Sequence, residues 1–117
     1  MSARRWGPPA LWAALILVLT SIPAPPETSG GIPHLDKLVH LALYAGQGWF
    51  VTRALRSRRP MTLAAALVAI AAFAAFDEWH QGFVARDPAV LDWLADVVGA
   101  FLGIMTASRA RTAEPAQ

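Results

Sequence analysis

Apolar residues run along this chain in four long stretches, and three of these carry ionisable residues at helical spacing. The third stretch is the purest, since Leu63–Phe76 reads LAAALVAIAAFAAF without a polar side chain. Extended back to Met61 and out to Gln81, it is long enough to cross a hydrocarbon layer ~30 Å thick, which takes ~20 helical residues. The pattern predicts four transmembrane helices, at about 8–23, 36–54, 61–81 and 88–107. Proline and glycine mark the first break, through Pro23, Pro25, Pro26, Gly30, Gly31 and Pro33. Arg56–Pro60 marks the second break and Gly82–Pro88 the third, while residues 109–117 form a polar tail. The expected fold is all-α, one domain over residues 1–117, with short loops making sequential helices antiparallel neighbours in a four-helix membrane bundle.

Composition supports the membrane reading. Hydrophobic residues make up 56% of the chain and charged ones 15%, against about 25% charged in a soluble domain. Cysteine is absent, which excludes a disulfide scaffold, a thiolate metal site and thiol catalysis. The sequence pI of 9.9 would suit nucleic acid, but the positions of the basic residues argue against it. Eight of the ten fall at one end of the expected bundle: Arg4, Arg5, Arg53, Arg56, Arg58, Arg59, Arg109 and Arg111. Lys37 and Arg86 fall at the other. Cytoplasmic loops carry the excess of Lys and Arg, so both termini are expected in the cytoplasm and no nucleic-acid partner is expected. Trp6 and Trp49 then belong to the inner interface, and Trp79 and Trp93 to the outer one. Arg4-Arg5 followed by Leu11–Leu19 also has the layout of a signal peptide. The residues after it lack a clean small-x-small cleavage site, so a retained helix is preferred.

The ionisable residues gather toward the outer end. An acid in the middle of a membrane helix costs about 2.5–3.5 kcal/mol on insertion scales, so such groups pair, face a cavity or serve a function. In helix 2, Asp36, His40 and Tyr44 recur at i, i+4 and i+8, with Gln47 continuing the stripe. Asp36 alone reads as a helix cap, but one turn before His40 it can also orient the imidazole. Helix 3 ends Asp77-Glu78-Trp79-His80-Gln81, with two acids at the end where the dipole prefers cations. Asp77, His80 and Gln81 share a face, and Glu78 points about 100° away, toward headgroups or another helix. In helix 4, Asp92 and Asp96 lie too far from the Asp87-Pro88 start to be caps, and they share a stripe with Gly99 and Gly103. Gly-x-x-x-Gly permits close helix packing, which turns this stripe inward, opposite helix 2 or 3. Five carboxylates in a partly dry site need a shared proton, a basic partner or a cation. Oxygen ligands with imidazole suit Mg, Mn or Zn, yet no segment has a specific metal signature. No cofactor is expected, a divalent cation remaining the alternative, and the metal ligands are unknown.

Three segments carry a family likeness: Asp36-Lys37-Leu38-Val39-His40-Leu41-Ala42-Leu43-Tyr44, Asp77-Glu78-Trp79-His80-Gln81-Gly82-Phe83-Val84 with Arg86, and Leu91-Asp92-Trp93-Leu94-Ala95-Asp96 through Gly103. Together they resemble the VanZ-like family of small bacterial integral membrane proteins, whose founding member is associated with low-level teicoplanin resistance. The likeness spans about residues 36–103 in the family's order. It departs at Ala85, where relatives carry Pro-Gly before the arginine and this loop is one residue shorter. It implies a multi-pass protein of the bacterial cytoplasmic membrane, with these polar residues as signature positions.

The function expected is action at the cell envelope through an outward-facing polar pocket, on or near a lipid-linked or cell-wall component, with a link to glycopeptide resistance. The lipid bilayer is the expected partner, and whether the chain is an enzyme is left open. In an enzyme, His40 and Asp36 would be the acid/base pair, with Asp77, Asp92 and Asp96 orienting it or holding a cation. Lys37, Tyr44, Glu78, His80, Gln81, Arg86, Asp92 and Asp96 would line the pocket, Arg86 meeting a phosphate or carboxylate. The alternatives are a small proton-coupled transporter and a scaffold whose polar residues only hydrogen-bond helix to helix.

Overall fold

The computed structural model describes residues 3–21, 35–81 and 90–112. They form four α-helices: α1 (Ala3–Ser21), α2 (Leu35–Ala54), α3 (Pro60–Gln81) and α4 (Val90–Thr112). The all-α expectation and the number of helices hold among the described residues. The helix starts at 88 and the Asp87-Pro88 cap expected for α4 lie outside the described residues. Two helices are long and apolar enough to cross a membrane, over Pro60–His80 and Val90–Ala110. Only 22% and 39% of those spans are buried inside the protein, so most of their apolar surface faces outward. Large exposed side chains such as Leu11, Leu38, Val68, Phe76 and Phe101 continue that surface over all four helices. A water-soluble monomer rarely shows so much contiguous apolar surface.

The buried stripes explain how the helices dock. In α4, Asp92, Asp96, Gly99, Ala100, Gly103, Ile104 and Ala107 recur every three or four residues and are all buried. They face α2, where Gly48 lies opposite. A Cβ at Gly99 would strike the Leu41 carbonyl oxygen, one at Gly103 the Ala45 carbonyl oxygen, and one at Gly48 the Ala100 carbonyl oxygen. With little hydrophobic drive between helices in lipid, such close backbone approach is what van der Waals attraction requires. In α3 the buried stripe is Ala66, Ile70, Ala74 and Asp77, so an apolar seam ends on an acid. Indole N–H groups tie the layers together: Trp12 donates to the Leu43 carbonyl at 2.7 Å, and Trp93 donates to the Ala71 carbonyl at 3.0 Å. Trp93 is therefore turned into the α3–α4 seam, unlike the exposed Trp79.

α1 begins at Ala3, five residues before the predicted start, and carries Pro8 and Pro9 inside it. Proline removes a backbone donor and its fixed φ still suits a helix near its beginning. Tertiary contacts hold this turn. The Arg5 guanidinium donates to the Ala54 carbonyl at 2.5 Å, and Gln47 Nε2 donates to the Pro9 carbonyl at 3.3 Å. Arg58 donates to the Leu55 carbonyl at 2.7 Å. Arginines at this end therefore also satisfy the carbonyls that α2 leaves open at its C-terminus.

Candidate functional site

The C-terminal ends of α1 and α3 and the N-terminal ends of α2 and α4 meet at the end of the bundle opposite the arginine cluster. His40 lies about 7.5 Å along α2 from Leu35, Asp96 about 9 Å along α4 from Val90, and Asp77 about 6 Å below the end of α3, at ~1.5 Å per residue. The polar side chains are thus sunk one to two turns into the bundle.

Two pairs organise the centre. His40 Nδ1 lies 2.8 Å from Asp96 Oδ1, bridging α2 and α4. With Asp96 ionised, its carboxylate only accepts, and the imidazole then donates to it from Nδ1. The second pair is Tyr44 with Asp77: the phenol donates to Asp77 Oδ2 at 3.0 Å, from α2 to α3. Phe73 packs against the Tyr44 ring, with centroids 6.1 Å apart. Tyr44, Asp77 and Asp96 are all fully buried at 0% exposure, so their polar atoms turn to protein partners, and among the described residues Asp96 Oδ2 has none. At the mouth, half-buried Lys37 makes an ion pair with buried Asp92, Nζ to Oδ1 3.4 Å.

α1 supplies a residue that sequence reasoning did not single out. Thr20 Oγ1 lies 2.6 Å from Asp77 Oδ1 and 2.9 Å from the Ile16 carbonyl. Its one hydroxyl hydrogen serves one of these acceptors at a time. Asp77 is thereby held on both oxygens, by α1 and by α2, and all four helices contribute to the centre. The only signal in the sequence is a threonine in the last turn of an apolar helix, which by itself reads as an ordinary bond to the i−4 carbonyl.

The described members of the three predicted stripes meet, through His40 with Asp96 and Tyr44 with Asp77. One carboxylate on His40 is Asp96 of α4, brought there by the α2–α4 approach at the glycines, while the expected pairing with Asp36 falls on a side chain outside the described residues. Glu78 is buried and lies beside His40 and Asp92, inside the bundle. Of the two outcomes for its separate direction, headgroups or another helix, it meets the other helices. His80 is half-exposed, its ring 6.3 Å from Phe76 on its own helix, so it sits at the edge of the centre. The side chains of Asp36 and Gln81, and the whole of Arg86, lie outside the described residues.

The arrangement defines a class: an all-α bundle with two helices apolar enough to cross a membrane, closed at one end around a buried imidazole–carboxylate centre. The VanZ/LLP1 family model matches residues 8–111, nearly the whole chain, and the chain belongs to that family. Searches of curated proteins and of solved structures return no match.

Proposed function

We propose that this chain is a multi-pass protein of the bacterial cytoplasmic membrane, with both termini in the cytoplasm. Its buried polar centre then opens toward the cell envelope and engages the headgroup of a lipid-linked or cell-wall component. One observation carries the reading. The His40–Asp96 and Tyr44–Asp77–Thr20 contacts concentrate charge and titratable groups at one end of an otherwise apolar bundle, opposite the arginines. In lipid, buried ionisable groups of this kind are expensive and accompany a function. Half-buried Lys37 stands at the rim, where an anionic headgroup would arrive. Family membership makes teicoplanin sensitivity the first phenotype to measure.

The test is complementation of a deletion strain, read as glycopeptide sensitivity and the lipid-linked species that accumulates, beside membrane abundance. His40→Gln keeps an amide of similar size but cannot take up a proton as imidazole does. It should lose the phenotype while inserting and accumulating normally. Full complementation at normal abundance would rule out a role for His40 beyond structure.

Proton-coupled transport is the second reading, and one observation favours it. Gln47 Oε1 and Thr52 Oγ1 are buried polar atoms without hydrogen-bond partners among the described residues, further along α2 toward the arginine end. Gln47 also lines a crevice of about 450 Å³ between α1, α2 and α3. A proton flux into liposomes that depends on Gln47 would favour this reading over the first.

A further inference from the structure

We propose that His40, Glu78 and Asp92 bind one divalent metal ion; the inference deepens the reading of this centre as the functional site and rests on it. One ligand atom from each of the three residues lies within 4.8 Å of the others, and the three come from α2, α3 and α4. Ligands about 2.0–2.2 Å from one ion are separated by roughly 3.0–3.5 Å at tetrahedral or octahedral angles. Small side-chain adjustments therefore close this set around a cation. The three residues are 1%, 8% and 5% exposed, so they are oriented by the bundle rather than by water.

Three further observations point to a cation. The first is the Asp96 contact behind the imidazole. Metal-binding histidines donate the other ring N–H to a carboxylate, which fixes the tautomer and makes the free nitrogen more basic. With Nδ1 turned to Asp96 at 2.8 Å, a metal would take Nε2 in place of that nitrogen's other contacts. Secondly, among the described residues Asp92 Oδ1 has no hydrogen-bond donor, its contact with Lys37 at 3.4 Å being an ion pair without hydrogen-bond geometry, and Asp96 Oδ2 likewise has none. The third is charge. Asp77, Glu78, Asp92 and Asp96 are all buried in this end of the bundle, and a divalent ion bound to Glu78 and Asp92 offsets both of their charges.

One imidazole with two carboxylates selects the chemistry. Mg²⁺ prefers oxygen alone and keeps several waters, whereas imidazole with carboxylate suits Zn²⁺ or Mn²⁺. Three protein ligands leave coordination positions open, as in catalytic rather than structural sites. Those positions would take water or an oxyanion such as a phosphate headgroup. Asp77 lies outside this set, occupied by Thr20 and Tyr44.

The experiment uses the full chain, purified in detergent, stripped with chelator and titrated with Zn²⁺ and Mn²⁺ separately. Metal content, calorimetry and the Mn²⁺ spin-resonance signal are the readouts. The expected result is one equivalent per chain. Glu78→Gln and Asp92→Asn should weaken binding at least tenfold and Asp96→Asn by 10–100-fold, while Gly7→Ala, where an added Cβ meets nothing within 4 Å among the described residues, should leave it within about twofold. A well-folded wild-type chain that takes up no stoichiometric metal would overturn the proposal whatever the variants do. So would unchanged binding in both Glu78→Gln and Asp92→Asn. X-ray absorption of the Zn²⁺ form should find one nitrogen and two carboxylate oxygens from the protein, and a shell of oxygen alone would count against His40. The two readings fail separately. Absent metal binding with loss of phenotype in His40→Gln removes the ion and keeps the functional centre. Metal binding with full complementation by His40→Gln leaves a metal site and removes the functional role.

Discussion

At the scale of single residues, Asp77 is the most tightly held group in the centre. Thr20 and Tyr44 each reach one of its oxygens from a different helix. Thr20→Val keeps shape and β-branching but removes the hydroxyl, so it separates the bond from packing. Interhelical hydrogen bonds in membranes average ~0.6 kcal/mol and reach ~1.7. Leaving Oδ1 of a buried carboxylate without a donor places Thr20→Val toward the upper end of that range. The expected outcome is a loss of about 1–2 kcal/mol in a reversible detergent-unfolding titration, with helical content unchanged. A change below about 0.3 kcal/mol would mean that the hydroxyl serves the Ile16 carbonyl and not Asp77. The residues of the centre were largely legible in the sequence, because acids and imidazole inside apolar helices are conspicuous. Their pairing was not. Spacing along α2 offers Asp36 to His40, but nothing in the spacing points to Asp96, which reaches the ring through the depth at which α4 docks.

At the scale of elements, the seam between α2 and α4 carries the architecture. Gly48, Gly99 and Gly103 allow two backbones to touch, and the same approach brings His40 against Asp96. The glycine spacing on α4 predicted an inward stripe, but not which helix would lie opposite, since α2 and α3 both present small residues. The start of α1 was illegible for a related reason. Pro8-Pro9 argues locally for a helix beginning there, and Arg5 on the Ala54 carbonyl overrides it. A substitution at the seam should act at a distance. Gly103→Ala directs a methyl group at the Ala45 carbonyl, forcing α2 and α4 apart, and overpacking of this kind costs about 1–3 kcal/mol. The variant should unfold at lower detergent denaturant concentration and lose the activity of the centre, although Gly103 lies two turns from Asp96. Gly7→Ala is the matched control, since a Cβ there meets nothing within 4 Å, and it should behave as wild type.

At the scale of the whole molecule, charge divides the two ends of the bundle. The arginine end gathers Arg4, Arg5, Arg53, Arg56, Arg58, Arg59 and Arg109, while the opposite end holds the acids and Lys37. Translocating the loop at Arg56–Arg59 would carry four arginines with Arg53 across the bilayer, the arrangement the positive-inside bias disfavours. Some of these groups also have partners at their own end, such as Arg5 on Ala54 and Arg58 on Leu55, so the arginine end is structured as well as charged. The prediction is that Ser57 lies on the cytoplasmic side. The chain has no native cysteine, so Ser57→Cys gives a single reporter in the described α2–α3 loop. Ser57 Oγ accepts from the Arg59 backbone N–H at 3.2 Å and meets Thr62 Oγ1 at 3.1 Å, and a thiol of similar size should leave the loop folded. In intact cells, Ser57→Cys should resist a membrane-impermeant maleimide and react fully once the membrane is opened. Reaction in intact cells would invert the bundle, put the His40–Asp96 centre on the cytoplasmic face, and remove the envelope as its place of action.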